Sequence, residues 1–103
     1  MSRHALAVSH PVVREVIRRA AAEAPGVVRV GFARPPWRRL LGSPVGVRVR
    51  DGVIEVRLVV VARPGASLQV LSADVRGAVA AAVQRLLAME LGTLTVVVDG
   101  IGS

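Results

Sequence analysis

The dipeptide Asp51-Gly52 stands between two runs of alternating apolar and polar residues, Val45 to Arg50 and Val53 to Leu58. A two-residue hairpin turn needs positive φ at its central positions, and Asp-Gly supplies that with little steric penalty. The runs are predicted to fold back on one another with Arg50 facing Val53, Val49 facing Ile54, Arg48 facing Glu55 and Val47 facing Val56. Side chains alternate across a strand, so this register also sorts the faces. Val45, Val47, Val49, Ile54, Val56 and Leu58 share a buried face, while Arg48, Arg50, Glu55 and Arg57 share the other, with Arg48 and Glu55 as a cross-strand charge pair.

The rest of the chain reads around this hairpin. Ser9-His10-Pro11 is a helix start, because proline is tolerated in the first turn and a polar residue before it can cap. Val12, Val16, Ala20 and Ala24 repeat every four residues with Val13, Ile17 and Ala21 beside them, one apolar stripe on a helix that ends at Pro25-Gly26. Glu15 lies at helical spacing from Arg18 and Arg19 on the opposite side. Alternation from Val27 to Ala33 predicts a first strand, and Arg34 to Pro44, irregular and rich in proline, a loop. After Arg63-Pro64-Gly65, Ser67 caps a longer helix to about Met89 with Leu71, Val75, Ala78, Val79, Ala82, Val83 and Leu86 as its stripe. A last strand runs from Thr93 to Asp99 with Leu94, Val96 and Val98 on one side. The expected fold class is α+β in the order helix-strand-strand-strand-helix-strand: one four-stranded mixed sheet with two helices on one face.

That architecture leaves a face uncovered. Four strands at about 4.8 Å spacing make a sheet roughly 20 Å wide, and two helices cover one side of it. The second side is expected to carry Val27, Val53, Val59, Val61 and Val97 among its arginines, more aliphatic surface than solvation requires, and is read as an interface for self-association or a partner. The loop is the other candidate contact. Trp37, Arg38 and Arg39 beside Leu40 and Leu41 suit a lipid headgroup, a nucleic-acid backbone or a protein groove; equally, Trp37 can fold back to close one end of the core. The interaction candidates are thus Trp37, Arg38, Arg39, Arg48, Arg50, Arg57, Val59, Val61 and Val97.

Candidate chemistry is sparse. Cysteine is absent, which excludes disulfides, thiolate metal sites and a thiol nucleophile. His4 and His10 are the only histidines and no carboxylate cluster accompanies them, so no metal site is expected. The serines have no histidine base, and the seven acidic residues offer no pair for acid/base work. Arg63 to Ser67 could hold an anion at a helix start but reads first as a turn with a cap. No catalytic, cofactor-binding or metal residue is assigned, no cofactor or small-molecule substrate is expected, and the chain is read as not an enzyme. Its 14 basic against 7 acidic residues give a net charge of +7, which attracts polyanions whatever the fold. Only 2% of residues are aromatic, too few for a sheet on which bases stack, so nucleic acid is the alternative partner rather than the first. No apolar run reaches the roughly 20 residues of a bilayer span and Met1 to Ser9 does not read as a secretory signal, so the expected location is cytoplasmic.

Three segments in order, Ala21-Ala22-Glu23-Ala24-Pro25-Gly26-Val27, the strand entry Gly46-Val47, and Arg63-Pro64-Gly65 before a long helix and the strand Val96-Val97-Val98-Asp99-Gly100-Ile101, carry a resemblance. The chain resembles the alkaline shock protein (Asp/Gls) family of envelope stress response proteins over about residues 12–101, a single domain within 1–103. It departs from the family pattern at Leu87-Ala88, where Thr-Gly is usual, at Thr95, where Asn is, and at Pro64, where an aromatic residue is common. The resemblance implies non-enzymatic work in cell envelope homeostasis: a self-associating, homo-oligomeric scaffold, peripheral at the inner face of the cell membrane through a membrane-anchored protein partner. It brings no catalytic residues.

Overall fold

The computed structural model describes residues 9–33, 37, 40 and 42–102. The elements follow the expected order: α1 (His10–Ala22), β1 (Val27–Val30), β2 (Val45–Arg50), β3 (Val53–Ala62), α2 (Leu68–Leu87) and β4 (Glu90–Ile101). It is an α+β fold with two helices and a four-stranded sheet. The hairpin takes the register that Asp-Gly dictates, Arg50↔Val53 through Val45↔Leu58, with Asp51 at φ 52° and Gly52 at φ 76°. Arg48 and Glu55 stand opposite one another as expected, but no ion pair joins them; among the described residues the ion pairs belong to Glu15.

All pairing runs through β3. It is antiparallel to β1 and β2 and runs parallel to β4, with α2 as the crossover between the two parallel strands. β2 pairs with Val53 to Leu58 and β1 with Val60 to Ala62, so both occupy the same edge of β3, end to end and pointing the same way. The sheet is therefore three strands wide rather than the four side by side assumed from the sequence. The junction is Val59, whose N–H donates to the Pro44 carbonyl at 2.8 Å and whose carbonyl accepts from the Gly31 N–H at 2.9 Å. The chain leaves this one long edge at Gly31 and returns to it at Pro44.

Two boundaries differ from expectation for local reasons. β1 stops at Val30 because the chain leaves the edge at Gly31, and its pairing steps from Val27↔Ala62 to Arg29↔Val61, two residues against one. That bulge at Val28 turns Val27 into the core at 2% exposure, whereas simple alternation placed it on the far face. β4 begins three residues earlier than its alternation suggested, since Gly92 sits inside the strand: a Cβ there would lie 2.8 Å from Val53 Cγ1, so the Val53 side chain fills the space that a larger residue would need.

α1 rests on β1 and β2, α2 on β4, and the helices on each other, enclosing Val13, Ile17, Leu71, Val75, Val79, Val83, Ile54, Leu58 and Val60. Among the described residues no polar or charged residue is buried. Leu86, assigned to the buried stripe, is 59% exposed at the rim of a groove between the helices. The segments Pro25-Gly26 and Arg63-Pro64-Gly65 meet here: Arg63 donates its backbone N–H to the Gly26 carbonyl at 2.9 Å and Nε to the Pro25 carbonyl at 2.8 Å. Ser67 Oγ then accepts from Val70 N–H at 3.4 Å, so this segment is the turn and cap of the plainer reading.

Both helices carry a testable feature. α2 ends on Ala88 in the left-handed region at φ 53°, a conformation that disfavours a Cβ, at the position where the family usually has glycine. Ala88→Gly is expected to stabilise the fold by about 1 kcal/mol in urea denaturation. On α1, Glu15 accepts from Arg18 Nε at 3.0 Å and Arg19 Nε at 2.7 Å, and these hydrogen bonds hold its carboxyl at about 2 rather than the ordinary 4.5. A depressed carboxylate contributes stability above its unfolded value and loses it as it protonates, so this contribution fades between about pH 4.5 and pH 2. Glu15→Gln should flatten the stability profile in that window and leave the profile above it unchanged in shape.

Candidate interaction surface

The helix-free face of the sheet is built by side chains of alternate parity on three strands. From the hairpin end the rows are Arg50 beside Val53, then Arg48 beside Glu55, then Gly46, Arg57 and Thr95, then Val59 and Val97, then Arg29 and Val61. The face divides in two along these rows. Arg48, Arg50, Arg57, Glu55, Thr93 and Thr95 are exposed, and most of them line a shallow depression with Gly46 and Val47. Val59 and Val61 are only 3% and 2% exposed and lie outside the main core cluster, and Val97 is half-buried.

The chain itself covers the valine half. Leaving the edge at Gly31, it crosses toward β4, where the Ala33 N–H donates to Asp99 Oδ2 at 2.9 Å. Gly100, at φ +148°, lies so close beneath that a Cβ would come within 2.9 Å of the Ala33 Cβ. Because β3 lies between the departure edge and β4, residues 31–33 pass over Val59 and Val61. Half-buried Phe32 sits in this crossing, with its carbonyl accepting from Arg29 Nη2 at 3.4 Å. On the tail side, a Cβ at Gly102 would touch Val61 Cγ1 at 3.0 Å. Thus the Asp99-Gly100 pair is a dock for the loop: the carboxylate takes its N–H, and the glycine makes room for it.

The nine candidate residues therefore separate. Arg48, Arg50 and Arg57 form one exposed basic group, and Arg29, which sequence reasoning did not select, adds a further arginine at the far end of the same face. Val59 and Val61 are enclosed within the chain, and Val97 lies between the two halves. Trp37 is 58% exposed and Leu40 87% exposed, whereas Arg38 and Arg39 lie outside the described residues. Asp99 and Gly100 were missed as loop anchors. The signal available was an Asp-Gly pair interrupting a valine-rich strand, where glycine marks a close backbone approach.

Among the described residues no group of three or more His, Cys, Asp or Glu side chains could hold a metal ion, and no helix is long and apolar enough to cross a membrane. What the surface offers is guanidinium groups on a rigid sheet, next to a tryptophan-bearing loop tied to that sheet at Val59 and Asp99. Asp99→Ala removes the side-chain tie and leaves the Ala33 N–H without its acceptor. It is expected to cost about 1–3 kcal/mol in unfolding free energy and to lower the fluorescence anisotropy of Trp37, the single tryptophan of the chain.

Comparison with solved structures finds this arrangement elsewhere. A cadmium form of a MamM CTD variant aligns with a TM-score of 0.63 at 20% identity, covering 89% of this chain and 98% of that one. A copper form of another variant gives 0.58 at 16% identity, with the same shares of 89% and 98%. At these identities the likeness is one of fold. No curated protein sequence matches the chain. The sequence pattern of the alkaline shock protein 23 family, described as having a cell envelope-related function, matches residues 1–103, so the resemblance read from three segments holds over the whole length and the chain belongs to that family.

Proposed function

We propose that this chain serves envelope homeostasis under stress as a non-enzymatic, self-associating scaffold, held at the cytoplasmic face of the membrane by a membrane-anchored protein. The observation that carries the reading is the division of the helix-free face, in which loop 31–33 covers the valines while Arg48, Arg50 and Arg57 stay exposed beside it. A face built this way offers directional, charge-assisted contacts to an acidic protein segment, because guanidinium groups on neighbouring strands are held at fixed spacing and bind carboxylates through paired N–H donors. Trp37 and Leu40, both exposed on the segment that follows loop 31–33, add apolar side chains available for contact. The family's envelope-related function supports placing that partner at the membrane.

Fractionation of cells producing the tagged chain, followed by pull-down after mild solubilisation, tests the proposal. The chain is expected in the membrane fraction, released by salt, and captured together with an integral membrane protein; Arg48→Glu with Arg57→Glu should reduce both at least tenfold while leaving the circular dichroism spectrum unchanged. A chain that stays wholly in the soluble fraction, monomeric and without a membrane protein, overturns it. Salt-dependent binding of RNA or DNA abolished by the same charge reversal would replace it with a nucleic-acid role.

A further inference from the structure

β4 is an edge strand. Among the described residues it pairs with β3 alone. The direction of its unpaired groups follows from the junction at Val59. That residue turns its N–H and carbonyl toward Pro44 and Gly31, so its neighbours Leu58 and Val60 turn theirs to the other side, toward β4. In a parallel ladder these bond to the residues flanking their register partners Val96 and Val98, which engages Thr95 and Val97. The N–H and carbonyl groups of Leu94, Val96 and Val98 are left pointing outward along the edge.

Exposed edges are ordinarily protected by charge, proline or a bulge. Between Leu94 and Val98 there is none of these: the sequence is Leu-Thr-Val-Val-Val, β-prone at every position, and its register against Val56 to Val60 is unbroken. Both ends of this stretch are closed. Arg76 Nη2, reaching down from α2, donates to the Gly92 carbonyl at 3.2 Å, and beyond Val98 the register shifts at Asp99-Gly100 where the loop docks.

We propose that a second copy of the chain pairs at this edge, β4 antiparallel to β4 about a twofold axis normal to the sheet at Val96. Val96 then faces the partner's Val96 and Leu94 faces the partner's Val98. The outward groups are disposed symmetrically about Val96, so this one register satisfies all of them, while a shift by one residue would oppose inward-turned groups and exchange the faces. The side chains agree: Leu94, Val96 and Val98 stay on the helix side, and Thr95 and the partner's Val97 meet on the other. Charge favours this contact over others between two molecules of net +7, since the pairing stretch is neutral and the only charges on β4 are Glu90 and Asp99 near its ends, neither opposite a like charge in this register. On α2, Gly77 has open space around it and Ala73 is exposed, so small residues on the helix beside β4 leave room for a second copy. This pairing rests on the self-association in the proposed function and specifies its interface. An edge this short buries less than the roughly 1,200 Å² of a stable interface, so the dimer is weak and concentration-dependent.

Sedimentation across a concentration series of the purified chain is expected to show a monomer–dimer equilibrium. Val96→Pro removes one outward donor without touching a bond to β3 and should raise the dissociation constant at least tenfold. Because the chain has no cysteine, a second measurement is independent of any effect of proline on folding. An oxidised mixture of Thr95→Cys and Val97→Cys copies should form a disulfide-linked heterodimer, as directly opposed residues outside the hydrogen-bonded pairs lie about 4.5 Å apart at Cα. Thr95→Cys alone should link at least several-fold less. Undiminished dimerisation of Val96→Pro together with no preference for the mixed cross-link overturns the edge pairing and leaves self-association to another surface; a monomer at every concentration overturns both.

Discussion

A strand has two edges, and β3 has three partners. This mismatch sets the rest of the architecture: β4 takes the whole of one edge, so β1 and β2 must divide the other, meeting at the backbone of Val59. Because they point the same way along that edge, the chain leaves the sheet at Gly31 and rejoins it at Pro44 in the middle of the edge instead of at a corner. Residues 31–33, leaving there, lie on the helix-free face, since α1 already covers β1 and β2 on the other side. The cover over Val59 and Val61 and the bare flank of β4 are consequences of one allocation of hydrogen bonds.

Electrostatics is secondary in the fold and primary on the surface. The described ion pairs involve one acid, Glu15, and lie on the exposed side of α1, where solvent screening leaves such pairs little influence on stability. With no charge in the interior among the described residues, folding rests on aliphatic burial between the sheet and two helices. The surplus of arginine is then unconstrained by the core and falls where strand parity puts it: Arg48, Arg50 and Arg57 along the hairpin, with Arg29 at the far end of the same face. The net charge of +7 is accordingly uneven, concentrated away from the neutral stretch of β4.

How far the sequence revealed this depended on the range of the interactions. Asp51-Gly52 fixes a hairpin through contacts a few residues apart, so its register was legible, as was the cap at Ser67. The shared edge was not, because nothing local distinguishes a strand that adds a new edge from one that continues an old one. The bulge at Val28 was hidden for a related reason: valine suits either face, and only pairing with β3 decides which residue is doubled. For the candidate surface, Arg48, Arg50 and Arg57 were readable from parity alone. Val59 and Val61 had the right parity and the wrong accessibility, since their cover comes from a loop whose path is set by Asp99, far along the chain.

Asp99 and Gly100 act on both the edge of β4 and the covered half of the helix-free face. An acidic residue followed by glycine weakens a strand on propensity alone, and here it terminates the regular part of β4 just after Val98. Yet the same pair receives the loop that covers the valines: its carboxylate holds the Ala33 N–H and its missing Cβ admits the Ala33 side chain. One local break therefore limits how far β4 can extend as an edge and decides which half of the helix-free face remains accessible. A conventional strand residue at either position would strengthen β4 locally while removing the tie or the space that the loop requires.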